Sequence, residues 1–380
     1  MWDIQLFKLN FDERELKAAE KVISSGWLTM GENTRKFEEN FSSFLGNDAK
    51  CTSVSSCTAA LHMALIALGI KSGDEVVIPA LTFVANINVV KMVDATPVLA
   101  DCKNSKDWNV SLESVSKAIT EKTKAVIIVH YAGYPCSDIE EISALCKKNN
   151  IHLIEDVAHA PGATIKNKKC GLWGDIGCFS FFSNKNLSVG EGGMVSTNSA
   201  ELDNKIKFIR SHGMSSLTLD RHKGRTVSYD VLSPGLNYRI DEIRAAIGIV
   251  QLDKLSEANS KRKKLTKMYR DNFLNTDFLI PFQNLPNDME SAFHILPIRL
   301  PFSYDRSEVI DFLKKKRIQS SIHYPPFWSF SAFKDMFEPE DTPNFKEFAM
   351  SQLTLPLYPT MTYEEVDKVS NALKEFVDGS

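Results

Sequence analysis

Glu75-Val-Val-Ile-Pro-Ala-Leu-Thr-Phe83-Val-Ala-Asn-Ile-Asn-Val-Val-Lys-Met-Val93-Asp-Ala-Thr-Pro97-Val-Leu-Ala100 holds two apolar runs and a longer segment between them. Residues 75–79 and 97–100 read as strands, and residues 83–93 as a helix. The alternation continues on both sides. Cys51-Thr-Ser-Val-Ser55 is strand-like and residues 58–68 form an apolar helix. Downstream, a helix at 112–119 leads to the strand Ala125-Val-Ile-Ile-Val129, and a helix at 139–149 to His152-Leu-Ile-Glu155. Continuous apolar strands alternating with helices predict an α/β fold with a mostly parallel sheet covered on both faces.

Two short helices, 12–25 and 31–44, precede this alternation and meet through Gly26-Trp-Leu-Thr-Met-Gly31. A long helix starts near Ile240 and runs past Leu255, with Ile243, Ala246, Ile247, Val250 and Leu252 as its apolar positions. The domain boundary is placed within it. Residues 1–255, including the N-terminal segment, form a large domain, and residues 256–380 a smaller α+β domain. The latter has helices at 306–316 and 363–376 and the strand His294-Ile-Leu-Pro-Ile-Arg299.

A net charge of -3 gives no basic excess for nucleic acid. The chain lacks a run of about 18 apolar residues, so no membrane span is expected. Met1-Trp-Asp-Ile-Gln-Leu-Phe-Lys8 lacks the pattern of a signal peptide. Seven cysteines without CxxC pairs read as reduced thiols in the cytoplasm, not as a zinc site. A dinucleotide-dependent oxidoreductase lacks its G-x-G-x-x-G turn after the first strand.

Three segments fall at strand ends, where ligands of open parallel sheets bind. Ser55-Ser-Cys-Thr58-Ala59-Ala60 opens a helix, whose free N–H groups and dipole favour a phosphate. A simple N-cap at Ser56 or Thr58 is the plainer reading of those residues alone. Glu155-Asp156-Val-Ala-His159 ends a strand in two acids, and a carboxylate there suits a protonated pyridine nitrogen. A helix-capping Asp and a core histidine are the alternatives. Cys178-Phe-Ser180-Phe-Phe-Ser-Asn-Lys185-Asn-Leu-Ser-Val-Gly-Glu-Gly-Gly193 places one lysine between an aromatic strand and a glycine-rich turn. A desolvated lysine loses its proton more readily and becomes a nucleophile able to carry an imine. A surface lysine on a loop is the bland alternative. Phosphate cup, acid and lysine in this order fit pyridoxal 5'-phosphate, with Phe83 placed to stack on its ring.

These residues resemble the DegT/DnrJ/EryC1/StrS sugar aminotransferases, with the fold type I architecture of aspartate aminotransferase. The resemblance covers nearly the whole chain. It includes Ser25-Gly-Trp-Leu-Thr29, Gly73-Asp-Glu-Val-Val-Ile-Pro79, Thr82-Phe-Val-Ala-Asn86, Arg210-Ser-His-Gly213, Leu236-Asn237-Tyr-Arg239, Ile322-His323-Tyr-Pro-Pro326 and Leu355-Pro-Leu-Tyr-Pro359. It implies that Lys185 carries the cofactor as an imine and then moves the proton, and that Asp156 pairs with the pyridine nitrogen. It implies that Phe83 stacks on the ring, and that Thr58, Ala59 and Ser180 hold the phosphate. Asn237 would reach the phosphate of a neighbouring subunit's cofactor, which implies a homodimer with shared active sites. His323 and Thr29 would lie on the sugar-nucleotide side.

The implied reaction moves an amino group from L-glutamate to a nucleotide-linked keto sugar, with pyridoxamine 5'-phosphate as the intermediate form of the cofactor. The Gly-Glu-Gly-Gly run is more like that of enzymes acting at sugar C4, on a 4-keto-6-deoxy substrate. A pyridoxamine-dependent sugar dehydratase would carry histidine in place of Lys185. A non-catalytic regulator would not need the lysine. Two departures from the family pattern stand out. Cys57 replaces a frequent glycine, which requires a turn without positive φ. His159 replaces a frequent glutamine, and its charge state bears on its hydrogen bond to the cofactor's phenolic oxygen. The basic run Arg221-His-Lys-Gly-Arg225 could face a substrate diphosphate, or simply solvent.

Overall fold

The computed structural model describes residues 1–46, 48–214 and 228–378. Seven strands form the main sheet: β1 Lys50–Val54, β2 Glu75–Pro79, β3 Thr96–Ala100, β4 Thr123–Val129, β5 His152–Asp156, β6 Ile176–Ser180 and β7 Gly193–Thr197. Their spatial order is β1-β7-β6-β5-β4-β2-β3. The pairs from β6 to β3 are parallel, while β7 runs antiparallel to both β6 and β1. The sheet is therefore parallel except for β7, and the carboxyl ends of six strands share one edge with the start of β7.

The continuous apolar runs follow from burial on both faces. Val76, Ile78, Ile127 and Ile154 enter a core with the helices Cys57–Ala67 and Ala85–Met92. Their neighbours Val77, Val126, Ile128 and Leu153 face the opposite side and pack with Ile139 and Ile142 of the helix Ile139–Lys148. Successive residues of a strand point to opposite faces, so a doubly covered strand has no room for polar alternation.

The helix predicted from Ile240 past Leu255 is Glu242–Asn272. Its 31 residues span about 46 Å at 1.5 Å per residue. Ala245, Leu252 and Leu255 pack into one core with Phe37, Phe41, Phe179 and Phe181. Leu265 and Tyr269, near its other end, pack into a second core. That core also holds the antiparallel pair β8 Leu296–Arg299 and β9 Gln352–Leu355, and the helices Arg306–Lys315 and Tyr363–Asp378.

The N-terminal segment departs from the expectation that residues 1–255 form one unit. Ile4 bridges Ile318 and is buried in the second core. Leu6 N–H donates to Gln319 Oε1 at 3.0 Å, and Leu357 N–H donates to Leu6 carbonyl at 3.2 Å. These contacts are more than three hundred residues apart in the chain, so no local periodicity announces them.

All seven cysteines are free and buried. Among the described residues, no helix is long and apolar enough to cross a membrane.

Candidate active site

The shared sheet edge opens into a cavity of about 320 Å³. Ser56, Cys57 and Thr58 reach it from the end of β1, Phe83 from β2, Asp156 and His159 from β5, and Ser180 and Lys185 from β6. His323 and Tyr324, beyond the helix Arg306–Lys315, close the other side.

Ser56 is the N-cap of the helix Cys57–Ala67, and its Oγ accepts the Ala59 N–H at 3.1 Å. The capping reading thus belongs to Ser56. Ala59 sits buried outside the cavity lining with its N–H engaged. The N–H groups of Cys57 and Thr58, in the first turn, have no acceptor within the helix. Cys57 has no positive φ, so cysteine is accommodated there. Gly193 closes the cradle: a Cβ on it would lie 2.6 Å from the Ser56 carbonyl carbon and 2.8 Å from Cys57 N.

The two acids ending β5 point to opposite faces. Glu155 is fully buried and fastens the 171–174 loop. Its carboxylate accepts from the N–H groups of Gly171, Trp173 and Gly174 at 2.6–2.8 Å and contacts His130 Nε2 at 3.0 Å. Asp156 faces the cavity. It accepts from Asn86 Nδ2 at 2.9 Å and Ala158 N–H at 3.0 Å, and the Cys57 thiol lies 3.8 Å from Oδ1. Among the described residues no cation lies within ion-pair distance of it. Burial pushes its carboxyl above the usual range, against the lowering effect of those hydrogen bonds and of Lys185.

Lys185 follows β6 and lines the cavity. Desolvation brings its amine down to about 8, while Asp156 and Cys57 pull the other way. The neighbouring imidazoles stay neutral. Burial pushes His159 well below its ordinary value, and Lys185 and His323 add repulsion. His159 Nδ1 accepts the Ala132 N–H at 3.2 Å, so its proton sits on Nε2, 2.9 Å from Tyr324 Oη. His323 is pushed down to about 3 by burial and by Lys185, and its Nδ1 lies 3.0 Å from Thr354 Oγ1. The ring of Phe83, half-exposed, stands 5.3 Å from that of Tyr324.

The DegT/DnrJ/EryC1/StrS aminotransferase family model matches residues 10–374. This chain belongs to that family. Membership makes it a sugar aminotransferase dependent on pyridoxal 5'-phosphate. It is 35% identical over 377 residues to the spore coat polysaccharide biosynthesis protein SpsC of Bacillus subtilis, covering 97% of this chain and 95% of the relative. Among solved structures, it resembles PseC of Helicobacter pylori, an aminotransferase involved in pseudoaminic acid biosynthesis. The TM-score is 0.92 at 28% identity, over 99% of this chain and all of that one. It also resembles DesV of S. venezuelae, solved with a ketimine intermediate, at a TM-score of 0.90 and 27% identity over 100% and 99% of the two chains.

The cavity fits the family's cofactor on its own chemistry. A buried carboxylate without a cationic partner suits a protonated ring nitrogen. A helix N-terminus closed by a glycine suits a phosphate. Of the residues read from sequence, Asp156, His159, Ser180, Lys185, Thr58, Phe83 and His323 line this cavity, and Ala59, Thr29 and Asn237 do not. Thr29 and Asn237 are exposed, and Asn237 bridges Ser211. The basic run 221–225 lies outside the described residues.

Asn86, His294 and Tyr324 also stand around the site and were not singled out from the sequence. Asn86 holds Asp156 and is itself bonded to Thr82 Oγ1 at 2.7 Å. His294 Nε2 lies 3.5 Å from Lys185 Nζ, and Tyr324 joins His159. Asn86 stood in a quoted motif, and its place on the helix after β2 could have suggested it. His294 carried no local signal.

Proposed function

We propose that this enzyme aminates a nucleotide-linked 4-keto-6-deoxy sugar with L-glutamate as the amino donor. The observation that carries the reading is Lys185, the one lysine lining the cavity among the described residues, with its amine brought down to about 8 near the buried Asp156. SpsC and PseC, by their descriptions, serve polysaccharide and pseudoaminic acid biosynthesis. They support a role in making cell-surface sugars, and buried free thiols agree with work in the cytoplasm.

Each residue has a task. The N–H groups of Cys57 and Thr58 and the Ser180 hydroxyl would hold the phosphate. Asp156 would keep a proton on the ring nitrogen, and Phe83 would cover one ring face. His159, with its proton on Nε2, would donate to the phenolic oxygen. Bound there, pyridoxal 5'-phosphate supplies an aldehyde that accepts an amino group and a ring that delocalises the electrons left by proton removal. Lys185 would hold it covalently, then take the proton from the donor's α-carbon on Nζ and deliver it nearby. Neutral histidines around Lys185 leave it the cavity's main proton carrier. A second copy of the chain would supply Asn237 to the phosphate, and Thr29 and His323 would face the sugar nucleotide.

Borohydride reduction of the protein with bound cofactor tests the centre of this reading. The cofactor's mass should be fixed on the peptide carrying Lys185, and a label elsewhere overturns it. Glutamate-dependent amination of a panel of 4-keto and 3-keto sugar nucleotides, with products read by mass spectrometry and NMR, tests the substrate.

A further inference from the structure

We propose that His294 is a positioning residue for Lys185: its unprotonated Nε2 accepts a hydrogen bond from the lysine's nitrogen and holds it over the cavity whenever it is not bonded to cofactor. The inference rests on the enzyme reading above but concerns a residue that the reading does not use.

A chain of hydrogen bonds fixes where the protons lie. The Pro161 carbonyl can only accept, so the Asn259 group 3.0 Å from it is the NH2, and Asn259 turns its Oδ1 the other way. That Oδ1 and the Ala292 carbonyl each lie 2.7 Å from one end of the Asn186 amide. Both are acceptors, so this end is the Asn186 NH2. Asn186 Oδ1 therefore faces His294 Nδ1, at 2.9 Å. An oxygen that only accepts demands a proton on Nδ1. In the neutral ring that leaves Nε2 with a lone pair, aimed at Lys185 Nζ at 3.5 Å.

The ring stays neutral for physical reasons. It is buried, and the groups acting on it are Lys185, His159, Arg262 and His323, all cationic when charged. His159 packs with a ring-centroid distance of 4.5 Å. Arg262 Nη1 holds the His294 carbonyl at 3.0 Å, which fixes the backbone. Gly133 fits beneath it: a Cβ there would lie 2.7 Å from His294 N. The contact to Lys185 is long for a charge-assisted bond, which suits a lysine that must leave it in every cycle.

Lys185 itself faces Asp156, Cys57, His294, His159 and His323. Accepting a bond from the ammonium favours the charged form, so His294 opposes the desolvation that lowers the amine.

The test follows imine formation by absorbance as pyridoxal 5'-phosphate is mixed with cofactor-free protein across pH. The wild type should show a midpoint near 8. His294→Leu should lower that midpoint by about half a pH unit or more and slow the high-pH plateau rate severalfold. His294→Gln, which keeps an acceptor near the Nε2 position, should restore both. Asn186→Leu should act in the same direction as His294→Leu. A folded His294→Leu protein with wild-type midpoint and plateau overturns the proposal, as does failure of His294→Gln to recover either. If the leucine variant does not fold, a neutron structure of the wild type decides: hydrogen on Nδ1 supports the proposal and hydrogen on Nε2 overturns it. A wild type that forms no imine at Lys185 sinks the enzyme reading instead, and the neutron structure still decides the tautomer.

Discussion

Lys185 is placed where an ammonium is costly. Its amine sits at about 8 against an ordinary 10.5, chiefly through desolvation. Below pH 8 both folded and unfolded chains hold the proton, so the folded form bears the full penalty. Between 8 and 10.5 the unfolded chain holds more protons, so stability of the cofactor-free protein rises with pH through that window. Lys185→Met should therefore stabilise the cofactor-free protein at pH 7, by about 1–2 kcal/mol after discounting for solvent that reaches the cavity, while abolishing turnover. Thermal melts at pH 7 and pH 10 check this, and an unchanged slope with pH would contradict it. Asp156→Asn should keep the cofactor through its phosphate but lower turnover by about 100-fold or more, as read by absorbance and assay on one sample. Lys185 and Asp156 were legible because each stands at a strand end in a pattern of neighbours. His294 was not: it is 109 residues from Lys185, and only folding makes the contact.

At the scale of elements, the start of β7 and the helix Cys57–Ala67 share a surface with no spare room. Gly193→Ala would push its new carbon into the Ser56 and Cys57 backbone. The expected cost is about 1–3 kcal/mol, together with weaker cofactor retention in dialysis. Normal retention would show that the two elements can move apart freely. The helix Glu32–Leu45 has a glycine N-cap with no side chain to serve it. Glu242 does the work from the start of the long helix, accepting from Gly31, Asn33 and Thr34 N–H at 2.8 Å and from Thr34 Oγ1 at 2.6 Å. Glu242→Ala should destabilise by about 2–4 kcal/mol, as several buried donors lose their acceptor, and denaturant unfolding measures it. The parallel strands were readable because double burial removes polar positions from them. The reversed strand β7 was not, since Ser196 and Thr197 break its apolar run.

For the whole molecule, one chain offers an incomplete site if Asn237 acts across an interface. It lies away from the cavity of its own chain. Asn237→Ala should weaken cofactor retention while leaving a dimer, as followed by absorbance and size-exclusion chromatography; equal retention would speak against a shared site. The parallel sheet and the long helix were legible as patterns. The return of Ile4 to the second core was not, because pairing with Ile318 depends on the finished fold.

The seven buried thiols give this protein a built-in clock. Burial raises several of them well above the ordinary value, Cys57, Cys102, Cys170 and Cys178 among them. Cys57 lines the active-site cavity, but a thiol-specific dye can reach the other six only in molecules that have opened. The rate of colour development in native buffer then counts openings, without denaturant. Fast-reacting cysteines would belong to locally opening segments, and a slow common rate would belong to the whole chain coming apart.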